Sequence, residues 1–399
     1  MTEALAAGLL ERALAERTRA NSDFFAAEAE RLARVCHRMA ERFARGGRLI
    51  ACGASPAARS DARHVAVEFV HPVIVGKRAL PALALAAEGG AVAEQLALSV
   101  EPDDIVIAFG AGDDVVAAVD RARERGALTI AFAPLGADLE FEPPSGDPSI
   151  RQELVETLYH VLWELVHVFF EHRGLLEGRE ARGVHDTGAS SFLYPFLAER
   201  EDNLEAVVDD VRRSVLAKAE DVGRLRAQTL TENQAALRAA AAALREGLDA
   251  GGRLLALGNG GSATDAMDVV ADFRRPPDPR WPARPALDLT EDPAILTAIA
   301  NDIGSEAIFS RQVIAHGRER DTLLAISTSG GSANVISALV EARSRGLRTV
   351  ALVGYDGGRI AAEGLADHVV VTRSEHIPRI QEAQASAYHM LRELVEAAP

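Results

Sequence analysis

The chain contains an internal duplication, and this feature constrains its fold more than any other. Gly46–Gly53 (GGRLIACG) reads like Gly251–Gly258 (GGRLLALG), and each segment follows a long helical stretch rich in Ala, Leu, Glu and Arg. Ile150–Glu153 also corresponds to Arg379–Glu382, and each of these segments opens a closing helix. Landmarks that recur in the same order predict two copies of one structural unit.

The two copies meet in a polar, turn-rich stretch near residues 177–191, so we place the domain boundary at residue 190. This predicts domains over 1–190 and 191–399, and two domains suit a chain of 399 residues. Each half alternates short apolar runs with helical patterns. This alternation predicts an α/β fold in which each half is a three-layer α/β/α sandwich around a parallel sheet. Ligands of such sheets bind at the carboxyl ends of the strands.

Composition excludes several classes of protein. The net charge of −16, from 59 acidic and 43 basic residues, argues against a protein that coats nucleic acid, which needs a basic face. Two cysteines cannot form a disulfide framework, and they favour a reducing compartment. No apolar run reaches the roughly 18 residues of a membrane span, and the N-terminus does not resemble a signal peptide. We therefore expect a cytoplasmic protein with no membrane partner.

Two loops of the second half have the composition of a phosphate site. The sequence GNGGS, residues 258–262, lies between a predicted strand and a helix, and so does STSGGS, residues 327–332. Glycines allow close approach of a ligand, and a helix N-terminus presents free N–H groups to an anion. A single loop of this kind is equally well a tight turn with capping serines. Together the loops predict phosphate binding by Asn259, Gly260, Gly261, Ser262, Ser327, Thr328, Ser329 and Ser332.

The corresponding loops of the first half lack these features. Residues 53–57 read GASPA and residues 110–114 read GAGDD, so the hydroxyl cluster is missing. Asp113 and Asp114 would repel a phosphate. We therefore expect that the first half does not bind phosphate with these loops.

At these residues the chain resembles the sugar isomerase (SIS) domain family, and its second half resembles the phosphoheptose isomerases within it. The segments that carry the resemblance are GNGGSATDAM (258–267), ILTAIAND (295–302), IFSRQV (308–313), AISTSGGSANVI (325–336), LVGYDGG (352–358) and RIQE (379–382). The resemblance implies two fused SIS domains and a homodimer of the fused chain. It also implies isomerisation of sedoheptulose 7-phosphate to D-glycero-D-manno-heptose 7-phosphate through an enediol. Asn259 and Asp302 resemble contacts to the sugar hydroxyls.

The resemblance further implies a zinc ion held by His and Glu on the first helix of a domain and by Gln and His on the last. In the first half these positions are His64, Glu68, Gln152 and His160, and all four match. In the second half they are Asp268, Asp272, Gln381 and His389, so both first-helix positions depart from the pattern. The implied base and acid are Glu68 and His160, or Asp272 and His389 in the weaker second set.

Our central hypothesis divides the work between the halves. The second half holds the phosphate, and the first half supplies the metal, the base and the acid. Asp272 is shorter than a glutamate by one methylene, and a displacement of about 1 Å can cost about 10²-fold in rate, so the second set ranks lower. Two other functions stay open: a non-catalytic protein that binds sugar phosphates or other proteins, and an isomerase of a different sugar phosphate.

Overall fold

The computed structural model describes residues 3–74, 77–86, 90–171 and 203–397. The boundary predicted at residue 190 lies outside these ranges. Within them the chain forms two five-stranded sheets, one in each half, and every pair of adjacent strands is parallel. The predicted α/β fold of two SIS-like halves is confirmed.

In the first half, a long N-terminal helix precedes the strands of the sheet in sequence. Its strand order is β2-β1-β3-β4-β5. The elements are α1 (Glu3–Ala44), β1 (Leu49–Gly53), α2 (Pro56–Val70), β2 (Ala82–Leu85), α3 (Val92–Ser99), β3 (Ile105–Phe109), α4 (Asp113–Glu124), β4 (Leu128–Ala131), β5 (Leu139–Glu140) and α5 (Pro148–Glu171).

The second half repeats this topology, with the strand order β7-β6-β8-β9-β10. It adds α10, α12 and a 3-10 turn at Ser305–Ala307 to the repeated elements, in the regions where the first half is shorter. The elements are α6 (Leu204–Glu232), α7 (Gln234–Asp249), β6 (Leu254–Leu257), α8 (Gly261–Arg274), β7 (Ala286–Asp288), α9 (Pro293–Asp302), α10 (Ser310–His316), β8 (Thr322–Ser327), α11 (Ala333–Ser344), β9 (Arg348–Gly354), α12 (Gly358–Ala362), β10 (His368–Thr372) and α13 (Ile377–Ala397).

Strand β6 is apolar throughout because helices cover both faces of the second sheet. Along β6, Leu254 and Ala256 point into a core shared with α7, α8 and α13. The alternate residues Leu255 and Leu257 point into a second core shared with α10, α11 and α12. A two-residue side-chain period thus places successive apolar residues in opposite layers of the sandwich.

The described chain divides into two compact units that do not follow the sequence halves strictly. One unit holds the second sheet and comprises Met1–Arg19, Asp147–Glu153 and Asp221–Pro399. The other holds the first sheet and comprises Ala20–Gly146 and Leu154–Glu220. The start of α5 therefore packs with the second-sheet unit, and its remainder packs with the first-sheet unit.

Both cysteines are buried free thiols, as expected for a chain without a disulfide framework. Across the described ranges, no helix combines the length and the apolar character that a bilayer span needs.

Candidate functional site

The loop after β6 brings backbone N–H groups to an exposed edge of the second sheet. A Cβ at Gly258 would lie 2.1 Å from the carbonyl oxygen of Ser262, so only glycine fits there. Gly260 has φ of 58° and leads directly into α8. Asn259 and Gly260 are exposed, whereas Ser262 is buried in the first turn of the helix. The loop thus exposes Asn259 and Gly260 directly before the buried first turn of α8.

The loop after β8 forms a second turn rich in hydroxyl groups. The Ser327 hydroxyl accepts the Gly330 N–H at 3.2 Å and lies 3.5 Å from the Ser332 hydroxyl. Ser329 is exposed, and its hydroxyl accepts the N–H of Gly331. Ser332 is the N-cap residue of α11, yet its side chain makes no capping bond. Its hydroxyl is therefore not committed to the N–H groups of the helix.

The loop after β9 packs against this hydroxyl-rich turn. Gly330 has φ of 59°, and a Cβ there would lie 2.3 Å from the carbonyl oxygen of Gly357. The Gly330 carbonyl accepts the N–H of Ile360 at 3.0 Å. The loop after β9 therefore fixes the path of the hydroxyl-rich turn.

The two predicted phosphate loops lie side by side. Strands β6 and β8 are parallel neighbours, with Leu257 paired with Ala325. The side-chain amides of Asn259 and Asn334 bond each other reciprocally at 3.0 and 2.9 Å. Asn334 was not among the residues predicted from sequence, although it lies two residues after the last serine of the cluster. The convergence of the two loops at one edge of the sheet is as expected.

Asp302, the other residue predicted to contact the sugar, lies in neither of these two loops. It is the last residue of α9, it is exposed, and its carboxylate accepts a bond from Asn301 at 2.7 Å. Its predicted contact to a sugar hydroxyl remains a prediction.

The first-half loops have structural roles instead. Ser55 caps α2 by accepting the N–H of Ala58 at 3.2 Å. The Asp114 carboxylate accepts the N–H groups of Val92 and Ala93 at 2.8 and 3.1 Å, and so caps α3. The Asp114 carboxylate thus occupies the position at a helix N-terminus where a bound anion would lie.

Three of the four predicted metal residues of the first half, His64, Glu68 and His160, lie together where α2 faces α5. The Nε2 atoms of His64 and His160 lie 3.3 Å apart, and Glu68 Oε1 lies 3.8 Å from His64 Nε2. All three side chains are buried. The Tyr159 hydroxyl lies 2.9 Å from His64 Nδ1 and fixes the orientation of that ring. Burial, and next the His160 ring, lowers the pKa of His64 well below its usual value, which favours the neutral imidazole, the form that ligates a metal.

Glu156 is the residue that sequence reasoning missed here. His64, Glu156 and His160 each offer one ligand atom, and these atoms lie within 4.8 Å of one another. Two ligands of a tetrahedral zinc, each about 2.0–2.1 Å from the metal, stand roughly 3.4 Å apart, which is close to the separation of the two histidine nitrogens. The spacing of Glu156 and His160 on one helix, i and i+4, was the available signal. These residues fit a zinc ion.

Gln152 lies near the start of the same helix, in the part that belongs to the second-sheet unit. The role of Gln152 as a metal ligand stays a prediction.

The second predicted set is arranged differently. His389 Nε2 lies 3.7 Å from Asp272 Oδ2, which is too far for a hydrogen bond. Burial raises the pKa of Asp272. Asp268 and Gln381 are also buried. Within the described part of the chain, His64, Glu156 and His160 form the one group whose ligand atoms converge, so the second set does not form such a group.

Glu153 contacts the His389 ring at Nδ1, whereas Asp272 lies nearer to Nε2. Glu153 was not predicted as a site residue from the sequence. Its carboxylate lies 2.9 Å from His389 Nδ1 and accepts bonds from Ser386 at 2.6 Å and Arg17 at 3.0 Å. Burial alone would lower the pKa of His389, but Glu153, and then Asp272, more than reverse this, so the pKa is raised. The hydrogen bond to Glu153 therefore favours the protonated form of His389.

Comparison with known proteins finds the SIS domain model over residues 219–354. The phosphoheptose isomerase of Thermodesulfovibrio yellowstonii is 38% identical over 190 residues, which are 48% of this chain and 92% of that protein. The enzyme of Desulfovibrio desulfuricans is 43% identical over 182 residues, 46% of this chain and 86% of that protein. These matches support a sugar-phosphate isomerase.

Solved structures share the fold over nearly the whole chain. The tagatose-6-phosphate ketose/aldose isomerase of Escherichia coli has a TM-score of 0.55 at 16% identity, over 99% of this chain and 95% of that one. The C-terminal domain of glucosamine-fructose-6-phosphate aminotransferase of Francisella tularensis has a TM-score of 0.58 at 11% identity, over 97% of this chain and 94% of that one. The chain belongs to the SIS domain family, and both of its halves have the SIS fold.

Proposed function

We propose that this protein interconverts the ketose and aldose forms of a sugar phosphate, with sedoheptulose 7-phosphate as its substrate. The observation that carries the proposal is the pair of adjoining loops after β6 and β8, which offer hydroxyl and N–H groups to one phosphate. The named relatives, at about 40% identity over half of this chain, are phosphoheptose isomerases. The phosphate would anchor the sugar, so that its binding energy helps to orient the reacting carbons.

Isomerisation requires the transfer of a proton between neighbouring carbons. A carboxylate removes the carbon-bound proton, and an acid donates a proton to the oxygen of the developing enediol. Glu68 is our first choice for the base and His160 for the acid. Glu68 is a buried carboxylate, and its Oε1 lies 3.8 Å from His64 Nε2, beside the proposed metal ligands. Asp272 with His389 is the alternative pair.

Zinc is the cofactor that we propose for the first-half residues. His64 and His160 would hold it, and when bound it would polarise the carbonyl of the sugar. The neutral state of the His64 imidazole and the spacing of the two histidine nitrogens support this assignment.

The direct test is incubation of the zinc-supplemented protein with sedoheptulose 7-phosphate, followed by NMR and mass analysis of the products. We expect an aldoheptose 7-phosphate. A bound but unchanged sugar phosphate would favour a non-catalytic binding protein, and conversion of a different ketose phosphate alone would reassign the substrate.

A further inference from the structure

We infer that Glu156 is a metal ligand, and that the two buried glutamates of the first half have separate tasks: Glu156 holds the metal with His64 and His160, and Glu68 is left to act as the base. This inference rests on the proposed function for the role of Glu68. Its part about Glu156 stands on the geometry of the described residues alone.

The first argument is placement. The ligand atoms of Glu156, His64 and His160 lie within 4.8 Å of one another, whereas Glu68 is not a member of that group. Glu68 still lies beside it, because its Oε1 is 3.8 Å from His64 Nε2. A carboxylate that lies beside the metal ligands without being one of them can accept a proton while the ligands stay in place.

The second argument is the chemistry of the donor set. Two imidazoles and one carboxylate are a recurring donor set of catalytic zinc sites, which keep a further position open for water or substrate. All three side chains are at least 98% buried, so the set is shielded from bulk water.

The third argument comes from the duplication. Counting from the matched motifs, Glu156 corresponds to Ala385 and His64 to Asp268. The second half has therefore replaced two of the three donors, although it keeps His389. One metal ion per chain follows from this difference.

The test measures metal binding in the absence of sugar. Zinc content would be measured by elemental analysis, zinc affinity by competition with a chromophoric chelator, and ligand geometry by the absorption bands of bound Co²⁺. We compare the wild-type protein with Glu156→Gln and Glu68→Gln. The matched control is Glu164→Gln, because Glu164 is a buried glutamate on the same helix that pairs with Lys218.

We expect one zinc per chain in the wild-type protein. Glu156→Gln should weaken zinc binding by about 100-fold or more, since even the residues that support metal ligands are worth about 10- to 100-fold. It should also change the Co²⁺ bands. Glu68→Gln and the control should retain wild-type affinity and bands.

Wild-type zinc affinity in Glu156→Gln would overturn the inference, and so would an equal loss in Glu68→Gln. If Glu156→Gln does not fold, Glu156→Asp replaces it, because the shorter side chain displaces the same oxygen. These readouts use the metal alone, so a protein that binds zinc as described but does not isomerise sugars would refute the proposed function and leave the assignment of Glu156 intact.

Discussion

Asn259, in the loop after β6, and Asn334, in the first turn of α11 after the loop that follows β8, bond each other through a reciprocal pair of amide hydrogen bonds, at 3.0 and 2.9 Å. Each residue follows a different strand of the second sheet, so the pair fixes the distance between two loops that are otherwise separate in sequence. A phosphate held by both loops depends on this distance.

Replacement of Asn334 by alanine should therefore weaken sugar-phosphate binding. Loss of one hydrogen-bonded pair costs about 1 kcal/mol, which corresponds to about a fivefold rise in Kd. Calorimetric titration with sedoheptulose 7-phosphate measures the change. The exposed residue Asn203 provides the control variant Asn203→Ala, which should bind normally. Unchanged affinity in Asn334→Ala would show that the loops do not need this connection.

Ser332→Ala tests the hydroxyl cluster itself. Because the Ser332 side chain does not cap α11, its removal should change the free energy of unfolding very little. A hydrogen bond to a charged phosphate is worth about 2 kcal/mol, so the Kd for the sugar phosphate should rise about 30-fold.

The control for Ser332→Ala is Ser55→Ala in the first half. Ser55 caps α2, so its loss should cost about 1 kcal/mol of stability and leave sugar-phosphate affinity unchanged. The opposite pattern, with binding lost in Ser55→Ala and kept in Ser332→Ala, would assign the phosphate to the first half.

The Glu153 carboxylate predicts a specific dependence of stability on pH. Burial alone would raise its pKa, but Arg17, His389 and Arg226 together lower the pKa from the usual 4.5 to about 2. A lowered pKa stabilises the folded state above the unfolded value, and this stability is lost as the pH falls from about 4.5 towards 2. The full contribution is about 3 kcal/mol.

Urea unfolding at pH 5.5 and pH 3 tests this dependence. The difference in free energy of unfolding between the wild-type protein and Glu153→Gln should shrink by about 2 kcal/mol at the lower pH. Replacement of the exposed residue Glu306 by glutamine should give no such change. A difference that is constant with pH would mean that Glu153 does not titrate in this range.

Much of the fold could be predicted because its signals are local. The apolar runs of the second half coincide with β6 to β10 to within a few residues, and glycine-containing loops follow β6, β8 and β9. The duplication then predicted a second sheet of the same kind. The strand–loop–helix order around the two glycine-rich loops was predictable for the same reason, since these elements are consecutive in sequence, and phosphate binding by the loops stays a prediction.

The contacts between helices could not be predicted in this way. Glu156 becomes a candidate ligand only because α2 places His64 opposite it, and Glu153 approaches His389 although they are 236 residues apart. The α5 helix also contributes its first residues to the second-sheet unit, which no pattern within the helix indicates. These features depend on how helices pack rather than on their own residues.

The measurement that tests the central claim most directly is proton exchange in D₂O, followed by ¹H NMR on sedoheptulose 7-phosphate. The wild-type protein and Asp272→Asn should exchange a proton at C1 of the ketose and form an aldose with deuterium at C2. Glu68→Gln should slow this by about 10²- to 10⁴-fold while still binding the sugar. Exchange at the wild-type rate in Glu68→Gln would contradict the assignment of the base, and a wild-type protein that binds the sugar without exchange or product would contradict the isomerase itself.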